Sequence, residues 1–506
     1  MSSTARYPAV PAPSRAPVQW GLLLPALLVG VCCGAWVAAD ALLNHAVLSW
    51  LKFGFVLRWV PYTVSALTIV SMLAVLWLAL HQERAWRSRT LAAITLVMIA
   101  SHMGGIGGGM LNPLMAAIGV LGTVWVLHRT TTPSAPWAPT PFLWVSLLLG
   151  CAALMSMLGR HPSEVFSGFA AFVAKFALML LLVDLLEDFR MARAAVYLML
   201  AAAAAFALMG IAQVTVFMLF GIDYSLSDID YRFGQSFFGP SLRASGLSRT
   251  ANQFAPPLVA AALIALSLAV STRRMLPRSV LALLFLAALA AVLLSIVRGS
   301  WFALALGVAL LPFIHRPSLG FHWAGLVMLV SVAAYASGLV TFMADAIVGL
   351  SAAGTAERWE LLVAGINVML ESWNGVGIQN FSRYSPSFER YPVHNLFGQM
   401  GSELGLPGLV AIVALVGYVG LHLVQAIRAA RDPSHRSLLC AMLGGYVGLL
   451  AATQSEPMAF SQFLLIYIGV AEACARTSLA TSIANRPAAG LDRTGLLLVP
   501  ARSSAT

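Results

Sequence analysis

Long apolar runs, separated by short polar stretches, make up most of this chain of 506 residues. An apolar run of about 20 residues is long enough to cross a membrane as a helix. The pattern therefore predicts an all-α fold, a polytopic membrane helix bundle of about 12–14 transmembrane helices. The runs lie approximately at 20–39, 61–80, 90–106, 111–128, 141–159, 166–184, 194–221, 251–271, 279–297, 299–314, 320–344, 404–426, 437–453 and 459–475. A further stretch, 41–60, suits a helix at the membrane surface.

Polar segments divide the chain into three predicted parts. Residues 1–19 form an N-terminal tail, 20–476 form the transmembrane domain, and the polar residues 477–506 form a disordered tail. Two connections, 222–250 and 345–403, are much longer than the others. Since long loops in compact proteins are usually functional or disordered, and these contain aromatic residues and spaced charges, we expect two large functional loops on the outer side of the membrane.

The second long loop contains a helical pattern at 357–373. Polar residues fall on one side and Trp359, Ile366 and Leu370 are among the apolar residues on the other. This arrangement predicts an amphipathic helix along the outer membrane interface. The alternative is a helix that caps the bundle.

Composition and charge support a membrane protein and argue against nucleic acid as a partner. The chain is 60% hydrophobic and 10% charged, whereas a soluble domain has about 25% charged residues. The net charge of +11 reflects arginines concentrated on the connections predicted to be cytoplasmic, as the positive-inside rule requires. Both chain ends are then cytoplasmic. The five cysteines lie in apolar runs and show no disulfide or metal-ligand spacing.

A histidine and a glutamate stand at the start of one apolar helix. His394 follows a proline, and nearby helix N-terminal amides disfavour imidazolium, so a neutral ring can accept a proton. Glu403 falls on the opposite side of an ideal helix, so we expect it to fix an arginine instead of His394. The alternative is an interfacial histidine beside a glycine stripe that allows close helix packing. This stripe comprises Gly398, Gly401, Gly405 and Gly408.

Basic residues supply the other candidate groups. Arg243 and Arg249 end the first long loop, just before Asn252, and could clamp phosphate oxygens or simply anchor the helix at the membrane surface. Arg298 lies between two apolar runs and either binds an anion or snorkels to the interface. Lys175, predicted as the one clearly buried charge, either lines a cavity or is paired.

In order along residues 240–410, several short motifs together resemble the O-antigen ligase and polymerase family of bacterial inner-membrane glycosyltransferases. The chain departs from the family pattern at Val297-Arg298-Gly299, where a serine often precedes the arginine, and in having more predicted spans. The motifs that carry the resemblance are Arg243-Ala244-Ser245-Gly246, Ala251-Asn252, Ser295-Ile296-Val297-Arg298-Gly299, Arg358-Trp359, Gly375-Val376-Gly377, Asn380-Phe381, His394-Asn395, Glu403-Leu404-Gly405 and Gly408.

The resemblance implies a glycan donor on undecaprenyl pyrophosphate at the periplasmic face of the bacterial inner membrane, with no metal or other cofactor. By this resemblance, Arg298 and Arg243 hold the pyrophosphate. His394 deprotonates or orients the acceptor hydroxyl, which attacks the anomeric carbon with inversion. The supporting, substrate-binding residues are Arg249, Asn252, Asn395 and Glu403.

Three alternatives to a ligase acting on lipid A–core stay open at this point. A polymerase transfers the growing glycan to the next lipid-linked repeat unit, for O-antigen or exopolysaccharide, with the same donor chemistry. A lipid-linked oligosaccharide transporter requires charged residues spread over many spans. A metal-dependent dolichol-type transferase requires acidic residues in the first outer connection, where only Asp40 stands.

Overall fold

The structure, a computed structural model, describes residues 86–102, 113–131, 140–158, 162–221, 233–236, 239–248, 250–316, 352–386, 392–456 and 458–484, with isolated positions between 318 and 329. The N-terminal tail, the predicted spans 20–39, 61–80 and 320–344, and the surface helix 41–60 lie outside these residues. Arg249 also lies outside them.

The described residues form twelve α-helices, which confirms the predicted all-α helical bundle. Their bounds are α1 Trp86–Ser101, α2 Pro113–Thr131, α3 Pro141–Ser156, α4 Pro162–Leu185, α5 Phe189–Phe220, α6 Ala251–Ser271, α7 Met275–Leu294, α8 Arg298–His315, α9 Ala352–Glu371, α10 Leu396–Ala429, α11 Pro433–Ala452 and α12 Gln462–Ala484. A short 3-10 helix spans Phe381–Arg383.

A small antiparallel hairpin lies in the first long loop. Strand β1, Phe233–Ser236, pairs with β2, Gly239–Leu242, so that Phe233 lies opposite Leu242. Because β2 ends at Leu242, the hairpin leads directly into Arg243.

Eight of the described helices are long and apolar enough to cross a membrane: α4 through α8 and α10 through α12. Outward-facing apolar side chains such as Leu283, Phe302 and Leu421 remain exposed, as expected for surfaces in contact with lipid. The protein is therefore a multi-pass membrane protein.

The predicted boundary of the C-terminal tail was wrong. Helix α12 continues to Ala484, past the predicted end at residue 476. Thr477 and Ser478 are buried, and the Thr477 hydroxyl donates to the carbonyl of Ala473 at 2.6 Å. Because a helix carbonyl can accept from a hydroxyl such as that of Thr477, a polar residue can continue the helix, and polar composition alone placed the end too early.

Helices α6 and α12 occupy the centre of the bundle. Helix α6 packs against α7, α8 and α11, while α12 packs against α4, α5, α10 and α11. Small residues allow these close approaches. A Cβ on Gly448 would lie 2.1 Å from Cδ1 of Leu263, so a larger residue there would require the Leu263 side chain to move.

Helix α10 is broken at Gly405, contrary to the predicted continuous glycine stripe. Gly405 has φ 71° and ψ −169°, a conformation restricted essentially to glycine. Pro407 follows and lacks an N–H, so the carbonyl of Glu403 has no helical donor. The backbone N–H of Gly377 donates to this carbonyl instead, at 2.9 Å.

The segment after α9 also satisfies both groups of the helical hydrogen bond that is lost between Leu406 and Ser402. The N–H of Val376 donates to the carbonyl of Ser402 at 3.1 Å, and the N–H of Leu406 donates to the carbonyl of Trp373 at 2.9 Å. The break in α10 is therefore completed by backbone from another part of the chain, and its geometry depends on both segments.

Helix α9 corresponds to the amphipathic helix predicted at 357–373. Leu361 is buried, and α9 packs against α10, so the helix does cover part of the bundle. Its other side leaves a stripe of Trp359, Val363, Ile366 and Leu370 exposed. Contact of this stripe with the membrane interface stays a prediction.

The sequence suggested that Lys175 is the one clearly buried charged residue, but other charged residues are buried as well. Glu403 and Glu472 are 1% and 2% exposed. Glu472 accepts a hydrogen bond from Nδ1 of His422 at 2.7 Å between α10 and α12. Burial of these two acids follows from helix packing, which hydropathy does not report.

Candidate active site

Four connections meet at one end of the bundle. They are the loop before α6, the α7–α8 turn, the segment before α10 and the α11–α12 turn. The N–H of Ala244 donates to the carbonyl of Leu294, and the N–H of Leu396 donates to the carbonyl of Thr453, both at 3.0 Å. These backbone contacts join the connections in pairs and place their polar side chains around one site.

Arg243 is fixed by two hydrogen bonds. Its Nε donates to the carbonyl of Ser295 at 3.0 Å, and its Nη2 donates to Oδ1 of Asn252 at 2.8 Å. Burial lowers the pKa of Arg243, as do the nearby charges of Arg358 and Arg298, whereas Glu456 raises it. Arginine nevertheless stays protonated at physiological pH. Asn252, predicted to bind substrate, holds Arg243 in place.

A strained turn presents Arg298. Ile296 has φ 56°, an unusual conformation for a β-branched residue that often marks a functional site. The hydroxyl of Ser295 donates to the carbonyl of Val292 at 2.6 Å, and its carbonyl accepts from Arg243. The turn thus orients Arg243 and places Arg298 as the first residue of α8.

Two further charged residues belong to the cluster. Nη2 of Arg358 lies 3.6 Å from Oε1 of Glu456, which is 1% exposed. Burial raises the pKa of Glu456 to about 7, while Arg358 and Arg243 act to lower it. Oε2 of Glu456 has no hydrogen-bond partner among the described residues. We refer to Arg243, Arg298, Arg358, His394 and Glu456 as the arginine cluster.

Sequence analysis missed Glu456 and did not assign Arg358 to the site. Arg358 appeared only within the Arg358-Trp359 motif, at the polar start of a helix. Glu456 lies in a short connection between two apolar runs. The sequence did contain a signal for Glu456. It is an acidic residue in a short turn between two predicted spans, on the same predicted side of the membrane as His394.

His394 is kept neutral chiefly by burial. Burial lowers the pKa of His394 to about 4, and the nearby charge of Arg358 acts in the same direction. A hydrogen bond to the backbone of Pro392 opposes these effects. The ring is therefore neutral at pH 7, as the sequence suggested, although burial and Arg358 are the causes instead of helix N-terminal amides.

Asn395 holds the segment that carries His394. Its Oδ1 accepts from the N–H of Gly398 at 2.9 Å and so caps α10. Its Nδ2 donates to Oε1 of Gln454 at 2.9 Å. One end of the amide thus bonds to α10 and the other to the α11–α12 turn, and the structure gives Asn395 a positioning role.

Glu403 does not fix an arginine, contrary to expectation. Its carboxylate accepts hydrogen bonds from the backbone N–H of Gln379 and from Nε2 of Gln399, the latter at 3.3 Å. The break at Gly405 lets the segment that carries Gln379 approach α10. The N–H of Gln379 therefore bonds to the carboxylate in the place expected for an arginine. Glu403 therefore faces a neighbouring cavity instead of an arginine.

This cavity, of about 330 Å³, lies beside the arginine cluster. Lys175 lines it and donates to the carbonyl of Phe460 at 3.0 Å, so both predicted roles of Lys175 apply. The lining residues are mostly polar: Ser101, His102, Lys175, Ser248, Gln253, Pro257, Gln379, Ser382, Pro392, Gln399, Glu403, Met458, Phe460, Ser461, Gln462 and Phe463.

The arrangement has the chemistry of an anion site with a neutral base beside it. Three guanidinium groups lie near one another, and two of them, those of Arg243 and Arg358, interact with the carboxylate of Glu456. Guanidinium binds phosphate oxygens in a bidentate manner. Within the described parts of the chain, no group of three or more histidine, cysteine or acidic side chains is placed to hold a metal ion.

Comparison with known proteins gives a match to a protein-family model. Residues 283–413 match the protein-family model described as O-Antigen ligase. The matched region contains Arg298, Arg358, His394, Asn395 and Glu403. No curated protein matches the chain. The family match confirms the resemblance found in the sequence motifs.

Proposed function

We propose that this chain, similar to the O-antigen ligase family, is a membrane glycosyltransferase that moves a glycan from undecaprenyl pyrophosphate to an acceptor hydroxyl. The acceptor is lipid A–core, and the reaction takes place at the periplasmic face of the bacterial inner membrane. The observation that carries this proposal is the grouping of Arg243, Arg298 and Arg358 with a neutral His394.

The arginines bind the pyrophosphate of the donor. Pyrophosphate is already a good leaving group, so catalysis mainly has to stabilise the charge that grows on its oxygens. Arg243 is held in place by Ser295 and Asn252 before any substrate arrives. Such preorganised donors need no reorientation during the reaction and are therefore effective.

His394 accepts the proton of the acceptor hydroxyl. As the hydroxyl oxygen bonds to the anomeric carbon, its proton moves to the neutral imidazole, and the bond from the anomeric carbon to the pyrophosphate oxygen breaks. The electron pair leaves with undecaprenyl pyrophosphate, and the anomeric configuration inverts. Because the bound pyrophosphate places negative charge near His394, it raises the pKa of the ring above the value in the empty site and strengthens the base.

The direct test uses His394→Ala and Arg298→Ala in a transfer assay with the reconstituted protein. The probes are lipid-linked glycan and lipid A–core, both prepared from a strain that lacks this protein. Both variants should insert into the membrane and form no detectable product, since each lacks a group required in the transition state.

Arg274→Ala is the matched control, because Arg274 is an exposed arginine at the other end of α7. It should retain activity. Near-normal activity in both His394→Ala and Arg298→Ala would contradict the proposed function.

A further inference from the structure

The polar cavity beside the arginine cluster has no role in the transfer chemistry described above. Three chain segments connect the two sites. Asn252, His394 and Glu456 each belong to the cluster or hold it in place, and Gln253, Pro392 and Met458, one or two positions away, line the cavity. A ligand whose pyrophosphate lies among the arginines would therefore extend its next group towards this cavity.

Several polar groups of the cavity are incompletely bonded. His102 is 4% exposed; its Nδ1 bonds to the carbonyl of Met98 at 2.9 Å, which leaves Nε2 as an acceptor. Nε2 has no partner among the described residues. The ammonium of Lys175 has three N–H donors, and Phe460 accepts one of them. A buried polar group without a partner is costly, so a polar ligand that reaches these groups would be stabilised by completing their bonds.

The lining combines the features needed to bind a sugar. Amide, hydroxyl, ammonium and carboxylate groups offer both donors and acceptors to hydroxyl groups. Met458, Phe460 and Phe463 supply an apolar wall for the C–H face of a sugar ring. The volume of about 330 Å³ is near the lower end of the range of about 300–1,000 Å³ for small-molecule sites, so it suits one small unit better than a polymer.

We propose that this cavity binds a single sugar unit during transfer, with Lys175, His102 and Gln253 among the residues that recognise its hydroxyl groups. The inference rests on the proposed function, because the glycosyl donor and the lipid A–core acceptor are the two sources of such a sugar. In this proposal the cavity selects the sugar, whereas the arginines bind the pyrophosphate.

The test compares two lipid probes with protein reconstituted in lipid nanodiscs. One probe is undecaprenyl pyrophosphate, and the other is lipid-linked glycan from a strain that lacks this protein. Lys175→Met and Gln253→Leu should weaken binding of the lipid-linked glycan about tenfold, through loss of hydrogen bonds to the sugar. Binding of undecaprenyl pyrophosphate should stay within about twofold of wild type, since the arginines are intact.

A second measurement distinguishes the two sources of the sugar. If glycan binding is unchanged but the KM for lipid A–core rises about tenfold in the same variants, the bound sugar belongs to the acceptor and the inference still holds. No change in either measurement would overturn it, because the cavity would then be merely hydrated. An equal loss with both lipid probes would also overturn it, because the variants would be acting on the pyrophosphate site.

Two controls separate these outcomes from failures of folding or of the proposed function. Gln425→Leu alters an exposed glutamine far along α10 and should affect neither probe. The side chain of Gln253 forms no hydrogen bond with the described residues, so Gln253→Leu keeps the test valid if Lys175→Met fails to fold. Arg298→Ala should weaken binding of both lipid probes; if it weakens neither, the proposed function fails independently of the cavity.

Discussion

At the scale of single residues, Glu456 offsets part of the repulsion among the arginines. Arg243, Arg298 and Arg358 influence one another electrostatically, and the carboxylate of Glu456 favours the charged form of Arg243. Because burial raises its pKa to about 7, Glu456 gains or loses a proton close to physiological pH. The net charge of the arginine cluster therefore changes in that range.

Glu456→Gln should reduce the pH dependence of pyrophosphate binding. In the wild type, raising the pH from 6 to 8 ionises Glu456 and weakens the attraction of the site for undecaprenyl pyrophosphate. The glutamine variant lacks this ionisation, so its affinity at pH 8 should be several-fold higher than that of the wild type. An interaction equivalent to one pKa unit sets the upper limit of this difference at about tenfold. Binding titrations at both pH values provide the measurement.

Stability gives a second check on the same residue. Folded Glu456 binds its proton more tightly than the unfolded chain does, because its pKa is about 7 instead of 4.5. Its contribution to stability is present below pH 4.5 and is lost as the pH rises through about 7. The melting temperature of Glu456→Gln should therefore fall less than that of the wild type over this range; an identical fall would contradict the assignment.

Gly299 is predicted to be required for the contact between α8 and the α11–α12 turn. A Cβ at this position would lie 1.7 Å from Oγ and 2.5 Å from Cβ of Ser455, next to Glu456. Gly299→Ala should therefore displace the turn and reduce transfer activity by at least about tenfold, as expected for a small misplacement of catalytic groups.

The double variant Gly299→Ala/Ser455→Gly tests whether this contact is the cause. Removing the Ser455 side chain clears both close contacts and leaves Oε1 of Glu456 at 3.8 Å. It should restore a substantial part of the activity. If Gly299→Ala alone is fully active, or if the double variant is no better than Gly299→Ala, the contact does not position Glu456.

At the scale of helices, the break in α10 decides which groups reach each site. Asn395 caps the helix beside His394, whereas the break at Gly405 lets the segment after α9 bond to Ser402 and Glu403. The first turns of α10 therefore contribute to both the arginine cluster and the polar cavity beside it. A continuous helix would satisfy the carbonyl of Ser402 internally and exclude that segment.

Gly405→Ala should destabilise the protein and Gly417→Ala should not. The conformation of Gly405 costs a residue with a Cβ about 1–3 kcal/mol, and the added Cβ would also lie 2.1 Å from the carbonyl oxygen of Trp373. Gly417 lies in the same helix with open space where a Cβ would be, so it is the matched control. Thermal unfolding in detergent measures both variants, and equal melting temperatures would contradict a required break.

At the scale of the whole molecule, the polar groups that suit transfer gather at one end of the bundle. Ion pairs such as Arg87 with Asp188, and Arg129 with Asp184, join α1 and α2 to the end of α4 and the start of α5, on the predicted cytoplasmic side. This separation favours a site that receives both substrates from one face of the membrane.

Deletion of the gene followed by lipid analysis should identify the acceptor. If the protein is a ligase, the deletion strain accumulates full-length polymer on undecaprenyl pyrophosphate together with unsubstituted lipid A–core. Loss of long chains with single repeats still transferred would instead indicate a polymerase. Restoration by the wild-type gene, but not by His394→Ala, ties the phenotype to the proposed site.

The sequence by itself determined the membrane class and pointed to several residues of the candidate site. Apolar runs predicted most described helices, including α6 at Ala251–Ser271, because burial in lipid requires helices of nearly fixed length. Charges are so unfavourable in such a setting that Arg243, Arg298 and His394 stood out without any coordinates.

Only the tertiary structure decided how these residues are paired. Arg358 meets Glu456 from a distant helix, and Glu403 turns to Gln379 and Gln399 because α10 breaks at Gly405. The local sequence shows Gly405 and Pro407 but not which backbone replaces the lost helical bonds. Pairing and burial depend on contacts between segments far apart in the chain, and neither hydropathy nor residue spacing contains that information.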